Sequence, residues 1–226
     1  MVEAIVATLG FDADFALRRL SRGAPKRALF LALKVDEASW ARVYSAYNLV
    51  QMFCSYSKVD CVLEPIGTSR PVAEVYSILR REAEKNESLE LFLTGGPRIL
   101  VISALVAALL LPQRYARKIK TVVEGEGFEA SIEVNIGVLQ KLLSLGEPER
   151  RILVALLEHE RGLTAPKIAS VAGVPRTSTY RKLDLLKSLS LVEEEGGRYR
   201  LAENVRIFLR VIPLGDTIGN GETEYK

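Results

Sequence analysis

Apolar positions fall in short unbroken runs through the first half of the chain and at helical intervals through the second. AIVATL (4–9), ALFLALKV (28–35), VDCVLEP (59–65) and LELFL (89–93) have strand length and are largely apolar on both faces. That is the pattern of strands covered on each side. Between them lie stretches of helical length: an amphipathic one that Gly10-Phe11-Asp12 opens and that runs to about Leu20, then about Glu37 to Tyr56, about Arg70 to Lys85 with Pro71 near its start, and Ile99 to Leu111. This alternation predicts an α/β fold with a mostly parallel, Rossmann-like sheet. KIKTVVEG (118–125) and EASIEVNI (129–136), joined by Glu126-Gly127-Phe128, read as a hairpin that finishes the sheet.

After Ile136 the pattern changes. GVLQKLLSLGEP (137–148) is an amphipathic connector punctuated by Gly146 and Pro148, and no further strand–helix unit follows. A helix over Glu149–Glu160 puts Ile152, Leu153, Leu156 and Leu157 on one face. Thr164 is expected to cap a short helix, Ala165–Val171, with Ile168 and Val171 inward, and Ala172-Gly173-Val174 makes the turn. A third helix from Pro175 to about Ser190 carries Thr179, Leu183, Leu186 and Ser190 along one stripe, and a hairpin around Gly196-Gly197 joins Leu191-Val192 to Tyr199-Arg200-Leu201. Three helices and a hairpin are the winged helix-turn-helix plan. The expected division is a ligand-binding domain over 1–136, a connector over 137–148, a DNA-binding domain over 149–212 and a flexible tail over 213–226.

A chain of 226 residues, 48% hydrophobic and 26% charged, suits one or two globular domains. Its net charge of +3 permits nucleic-acid binding without arguing for it, so the placement of the charges has to decide. With the third helix's apolar stripe turned inward, Arg176, Thr177, Ser178, Tyr180 and Arg181 stand on its outer face near the N-terminal end. A recognition helix enters the major groove at that end. Arginine bonds guanine bidentately, threonine and serine reach bases or phosphates, and tyrosine approaches a phosphate or a thymine methyl. Lys167, Lys182 and Lys187 suit phosphates, and Arg198 and Arg200 on the far wing strand suit backbone or minor-groove contacts. Asp184 is the only acidic residue between Thr164 and Ser190, although the wing holds Glu193-Glu194-Glu195. Double-stranded DNA is the expected partner, with a protein-binding winged helix as the alternative.

Other chemistry is sparse. Cys54 and Cys61 match neither CxxC nor a zinc spacing and read as reduced thiols of an intracellular protein. The only histidine, His159, has no paired ligand, so no metal and no catalytic residue is expected. No signal peptide is visible in Met1–Leu9, and Ile99–Leu111 is shorter than the roughly 20 residues that span a bilayer. A cytoplasmic protein without membrane contact is expected.

Ligands of such sheets sit outside the carboxyl ends of the strands. The candidate loops are Thr8-Leu9-Gly10-Phe11-Asp12, Leu33-Lys34-Val35 and Thr94-Gly95-Gly96-Pro97-Arg98. In the last, glycine lets backbone N–H groups approach a ligand, Pro97 sits near the helix start, and Arg98 stands inside the helix to pair with an anion. Gly-Gly lacks the spacing of GxGxxG or of a P-loop, so the turn reads either as a tight strand–helix connection or as an anion cradle. The Thr94 hydroxyl is placed to cap the helix or to bond the ligand.

The combination resembles the archaeal CRISPR-associated transcriptional regulators that join a CARF domain, a CRISPR-associated Rossmann fold, to a C-terminal winged helix-turn-helix. The resemblance runs to about Ile212. The family's fourth-strand signature is an Asp or Asn, any residue, Ser or Thr, three more, then Arg or Lys; Thr94 and Arg98 match it and Phe92 departs from it. The Thr8-Leu9-Gly10-Phe11 turn resembles the family's other ligand loop. The resemblance implies a homodimer that binds a cyclic oligoadenylate, with cyclic tetra-adenylate expected, across its two-fold axis and regulates CRISPR-Cas genes from a near-palindromic operator. Ligand contacts are then expected from Thr8 to Phe11, from Lys34, and from Thr94 to Arg98. Two alternatives stand beside this one: a ring nuclease with Thr94, Lys34 or Arg98 as stabilisers, and a transcription factor with another nucleotide effector.

Overall fold

A computed structural model of the chain describes residues 2–125 and 131–209. It divides into two compact units, Met1–Gln140 and Lys141–Lys226. In the first, β1 (Ala4–Thr8), α1 (Asp14–Ser21), β2 (Arg27–Lys34), α2 (Glu37–Ser57), β3 (Asp60–Gly67), α3 (Pro71–Lys85), β4 (Leu89–Phe92) and α4 (Arg98–Leu109) alternate as the apolar runs predict. A single turn, α5 (Gln113–Ala116), precedes β5 (Ile119–Glu124) and β6 (Ser131–Asn135), and α6 (Ile136–Leu143) runs across the boundary between the units. The strands lie in the order β3-β2-β1-β4-β5-β6, parallel throughout except that β6 runs antiparallel to β5. The expected hairpin turn at Glu126-Gly127-Phe128 lies outside the described residues.

Alternate residues of each strand feed two cores. Val6, Leu31 and Leu91 pack under Leu79 of α3 and Leu100 of α4, while Ile5, Phe30 and Phe92 pack under Leu20 of α1 and Val50 of α2. Full burial of each such side chain stabilises the fold by about 1.5–3 kcal/mol. α1 is also tied to the sheet by charge. Arg19 binds the buried Glu90 of β4 through Nε and, at 2.8 Å, through Nη2, and Arg22 pairs with Glu124 of β5. Losing one partner of a buried pair leaves an uncompensated charge at a cost of about 3–5 kcal/mol. These ties set where the β1–α1 loop lies above the strand ends.

The cysteines are a correction. Cys54 and Cys61 form a disulfide, with Cα atoms 6.2 Å apart. Lys58 takes a left-handed conformation at φ 56° and reverses the chain between α2 and β3, which brings the two within bridging distance although their spacing fits no familiar motif.

The second unit contains α7 (Glu147–Leu157), α8 (Ala165–Ala172), α9 (Arg176–Ser188), the hairpin β7 (Val192–Glu195) and β8 (Arg198–Leu201), and α10 (Glu203–Leu209). Ile152, Leu153 and Leu156 of α7, Ile168 of α8, Leu183 and Leu186 of α9, and Leu191 are all buried. Three details differ from expectation. Val171 is 39% exposed, because the inward face of α8 is Ala165, Ile168, Ala169 and Ala172, one helical turn apart and about 100° away from it. Ser190 is exposed, since α9 ends at Ser188 and the positive φ at Ser190 hands the buried position to Leu191. Thr164 precedes α8 without a side-chain capping bond. Neither α5 nor α10 was legible as a helix, and the tail over 213–226 lies outside the described residues.

Candidate functional site

The chain builds β1, β2 and β3 outward in one direction and then returns to place β4 on the other side of β1. Strand order therefore reverses between β1 and β4, the switch point at which an open α/β sheet leaves a crevice. The loops that follow these two strands meet backbone to backbone there. A Cβ on Gly95 would stand 2.9 Å from the Thr8 carbonyl oxygen, and Gly96, at φ +90°, would put one 3.1 Å from that of Leu9. The double glycine is thus demanded by loop meeting loop. Beside the contact opens a cleft of about 430 Å³, within the size range of small-molecule pockets.

Of the expected ligand residues, Gly10, Phe11 and the turn from Thr94 to Pro97 line the cleft. The others do not. Thr8 is buried with its hydroxyl unpartnered, and the Leu9 side chain belongs to the core under α1 and α2. Lys34 pairs with Glu37 at 3.1 Å and lies 5.8 Å from the Trp40 ring. Arg98 is exposed at the first position of α4 and, among the described residues, has no ion-pair partner. Thr94 does not cap α4; its Oγ1 accepts from the Glu124 N–H at 2.9 Å and so fastens the turn to the end of β5.

Three lining residues come from helices that the loop-based reading passed over: Phe15 of α1, and Ser39 and Val43 of α2. Ser39 and Val43 are four apart and share a helix face, which the predicted start of that helix would have revealed. Asp36 caps α2, accepting from the Ser39 N–H at 2.7 Å and from the Ser39 hydroxyl at 2.8 Å. The Ser39 backbone N–H, and after it the hydroxyl, hold the Asp36 carboxyl below its usual range, so it stays an acceptor at neutral pH. The Ser39 Oγ proton is thereby committed to Asp36. On the rim, the Arg42 guanidinium carbon lies 3.9 Å from the centre of the Phe11 ring, which is itself half exposed.

In the second unit, burial of Thr179, Leu183 and Leu186 turns Arg176, Thr177, Tyr180 and Arg181 outward, with Ser178 half-buried. Arg176, Arg181 and the exposed Lys167 of α8 have no ion-pair partner among the described residues. The other cations expected to meet DNA are occupied. Lys182 pairs with Glu149 at 2.6 Å, Lys187 with Glu194, and Arg200 with Glu193 at 3.2 Å and Glu195 at 3.3 Å. Arg198 donates to the Gly162 carbonyl at 3.0 Å. Among the described residues no cluster of histidine, cysteine and acidic side chains could hold a metal ion, and no helix is long and apolar enough to cross a membrane.

Residues 3–135 match the Csa3 CRISPR-associated Rossmann-like domain, and residues 139–207 match the sugar-specific transcriptional regulator TrmB. No curated protein matches the chain. Among solved structures, Can2 from Sulfobacillus thermosulfidooxidans in complex with cyclic tetra-adenylate is similar at 13% identity and a TM-score of 0.41, over 91% of this chain and 63% of that one. Enterococcus italicus Csm6 bound to cyclic hexa-2′-fluoro-hexa-dAMP is similar at 10% identity and a TM-score of 0.49, over 84% and 52% respectively. The chain thus spans less than two thirds of the length of either.

Proposed function

Because the chain belongs to the Csa3 CRISPR-associated Rossmann-like domain family, we propose that it is a ligand-responsive, DNA-binding transcriptional regulator of CRISPR-Cas genes. Its effector is a cyclic oligoadenylate, cyclic tetra-adenylate first among them, which it binds and leaves intact. One observation carries the reading: a single chain joins a crevice at the switch point of a Rossmann-like sheet to a winged helix whose third helix presents, at its leading end, arginines without an ion-pair partner among the described residues.

The first unit receives the effector and the second reads DNA. A two-fold symmetric ring offers equivalent phosphates to two protomers, so each completes half of the site, and the working species is a homodimer. Arg98, exposed beside the glycine turn and without a carboxylate partner among the described residues, takes a phosphate of the ring. Paired winged helices then face a near-palindromic operator whose half-site centres lie about one helical turn, or a multiple of it, apart. Control follows if the ring favours one arrangement of the two winged helices, since a ligand that binds every arrangement equally shifts nothing.

Calorimetric titration of the full chain against cyclic oligoadenylates of several sizes and common nucleotides tests the effector, with mass spectrometry of the recovered ligand. Stoichiometric binding of one ring per dimer, recovered whole, is expected. Binding of a different nucleotide class alone, or recovery of linear products, would overturn it.

A further inference from the structure

Resting on the reading above, we infer that the cleft beside the glycine turn takes the effector's nucleobase, stacked on Phe11, and that Asp12 and Ser39 select a base bearing an exocyclic amine. Cationic side chains are what a phosphate site needs, yet Lys34 and Arg98 both stand outside the lining. The walls are instead mainly apolar, formed by Phe11, Phe15, Leu33, Val35 and Val43. Phe11 offers a half-exposed ring, and Arg42, 3.9 Å from its centre, occupies part of its surroundings and steadies it by a cation–π contact. An aromatic face held in this way is a platform for a base, because every base has a π-face to lay against it.

The polar groups on the α1 and α2 side of the cleft decide which base. Asp12 accepts from the Asp14 N–H at 2.8 Å through Oδ1, which leaves Oδ2 as an acceptor. Ser39 donates its hydroxyl proton to Asp36, so toward a ligand its oxygen only accepts. Two acceptors call for a ligand donor. The N6 amine of adenine supplies two N–H groups, whereas the O6 of hypoxanthine would set an acceptor against acceptors and leave both sides unpaired. With the base in the cleft, the phosphates fall toward the Gly95-Gly96 backbone and Arg98 at its rim.

The test is calorimetric titration of the full chain with three probes: cyclic tetra-adenylate, its inosine counterpart and adenosine 5′-monophosphate. Wild-type protein should bind the adenine ring at least tenfold more tightly than the inosine ring. Phe11→Leu keeps apolar bulk but removes the π-face, and should weaken both rings at least fivefold. Asp12→Asn preserves the Oδ1 that accepts from the Asp14 N–H while adding a donor, and should shrink the adenine-to-inosine ratio severalfold. Circular dichroism melting at the wild-type temperature confirms that both variants fold. Unchanged affinity and unchanged selectivity in both variants, with wild type binding cyclic tetra-adenylate, overturn the base pocket and leave the effector intact. Binding of the monophosphate that Phe11→Leu weakens, without binding of the ring, supports the pocket and overturns the cyclic effector. No binding of any adenine probe overturns both.

Discussion

The dipeptide Gly-Gly occurs at two turns of this molecule, and the two occurrences obey different physics. At Gly95-Gly96 a side chain would strike backbone, with the Thr8 oxygen 2.9 Å from one added Cβ and the Leu9 oxygen 3.1 Å from the other. At Gly196-Gly197, on the wing, an added Cβ meets nothing within 4 Å; there the demand is only conformational, since both residues have positive φ in a two-residue hairpin turn. Charge differs in the same way. Among the described residues Arg98 beside the first turn has no ion-pair partner, whereas Arg198 and Arg200 beside the second are held by a carbonyl and by carboxylates of the opposing strand. A motif read in sequence says that something is required at a place, and only the surroundings say what.

The sharpest break of this comparison comes from the crowded turn. Gly96→Ala adds a methyl against the Leu9 carbonyl in a backbone region unfavourable to L-residues, and should cost roughly 2–4 kcal/mol of stability in urea denaturation. Effector binding should fall with it, because the same loops form the cleft. Next come the two arginines of α9. Arg176→Ala and Arg181→Ala should each lose about 1–3 kcal/mol at the preferred operator and relax preference at one base pair per half-site, measured by competition on an operator library. If both keep wild-type affinity and preference, α9 is not the reader and the winged helix is a protein-interaction module.

Smaller effects are expected where α9 meets the wing and on the wing itself. The Lys187 ammonium, by its hydrogen bond, holds the Glu194 carboxyl below the usual carboxylate range. The pair is therefore formed at neutral pH and lost only as the pH falls through that lowered value, at which point Lys187 is released. At neutral pH Lys187→Ala should weaken all DNA sequences equally, by less than about 1 kcal/mol, and flatten the salt dependence by no more than about one phosphate contact. Smallest of all is Gly196→Asn at the open turn, where asparagine tolerates positive φ; its stability should stay within about 0.5 kcal/mol of wild type.

Much of this was legible in the chain, and the failures have physical causes. Runs such as ALFLAL (28–33) declare a strand buried on both faces because no polar residue interrupts them, and the spacing of Thr179, Leu183 and Leu186 sets the phase of α9 correctly. Val171 lies off the inward face because Ala165, Ile168, Ala169 and Ala172 form that face of α8. The disulfide was hidden because it depends on one left-handed residue, Lys58, that no local pattern announces. The cleft was found from its loops and not from its helices: strand ends pointed to Gly10, Phe11 and Thr94, while Phe15, Ser39 and Val43 enter only once α1 and α2 are packed onto the sheet. On the wing Arg200 looks available in sequence although its partners Glu193 and Glu195 are visible nearby, because pairing across the hairpin depends on the register that sets Glu193 opposite Arg200.

Regulation by the ring requires coupling of effector binding to DNA binding within one molecule. It is tested most directly by measuring operator affinity of the full chain with and without saturating cyclic tetra-adenylate at fixed salt. Coupling should change the Kd at least about fivefold, in either direction, with an equal change in effector affinity when DNA is present. Operator affinity that stays the same while calorimetry shows the ring bound would contradict it.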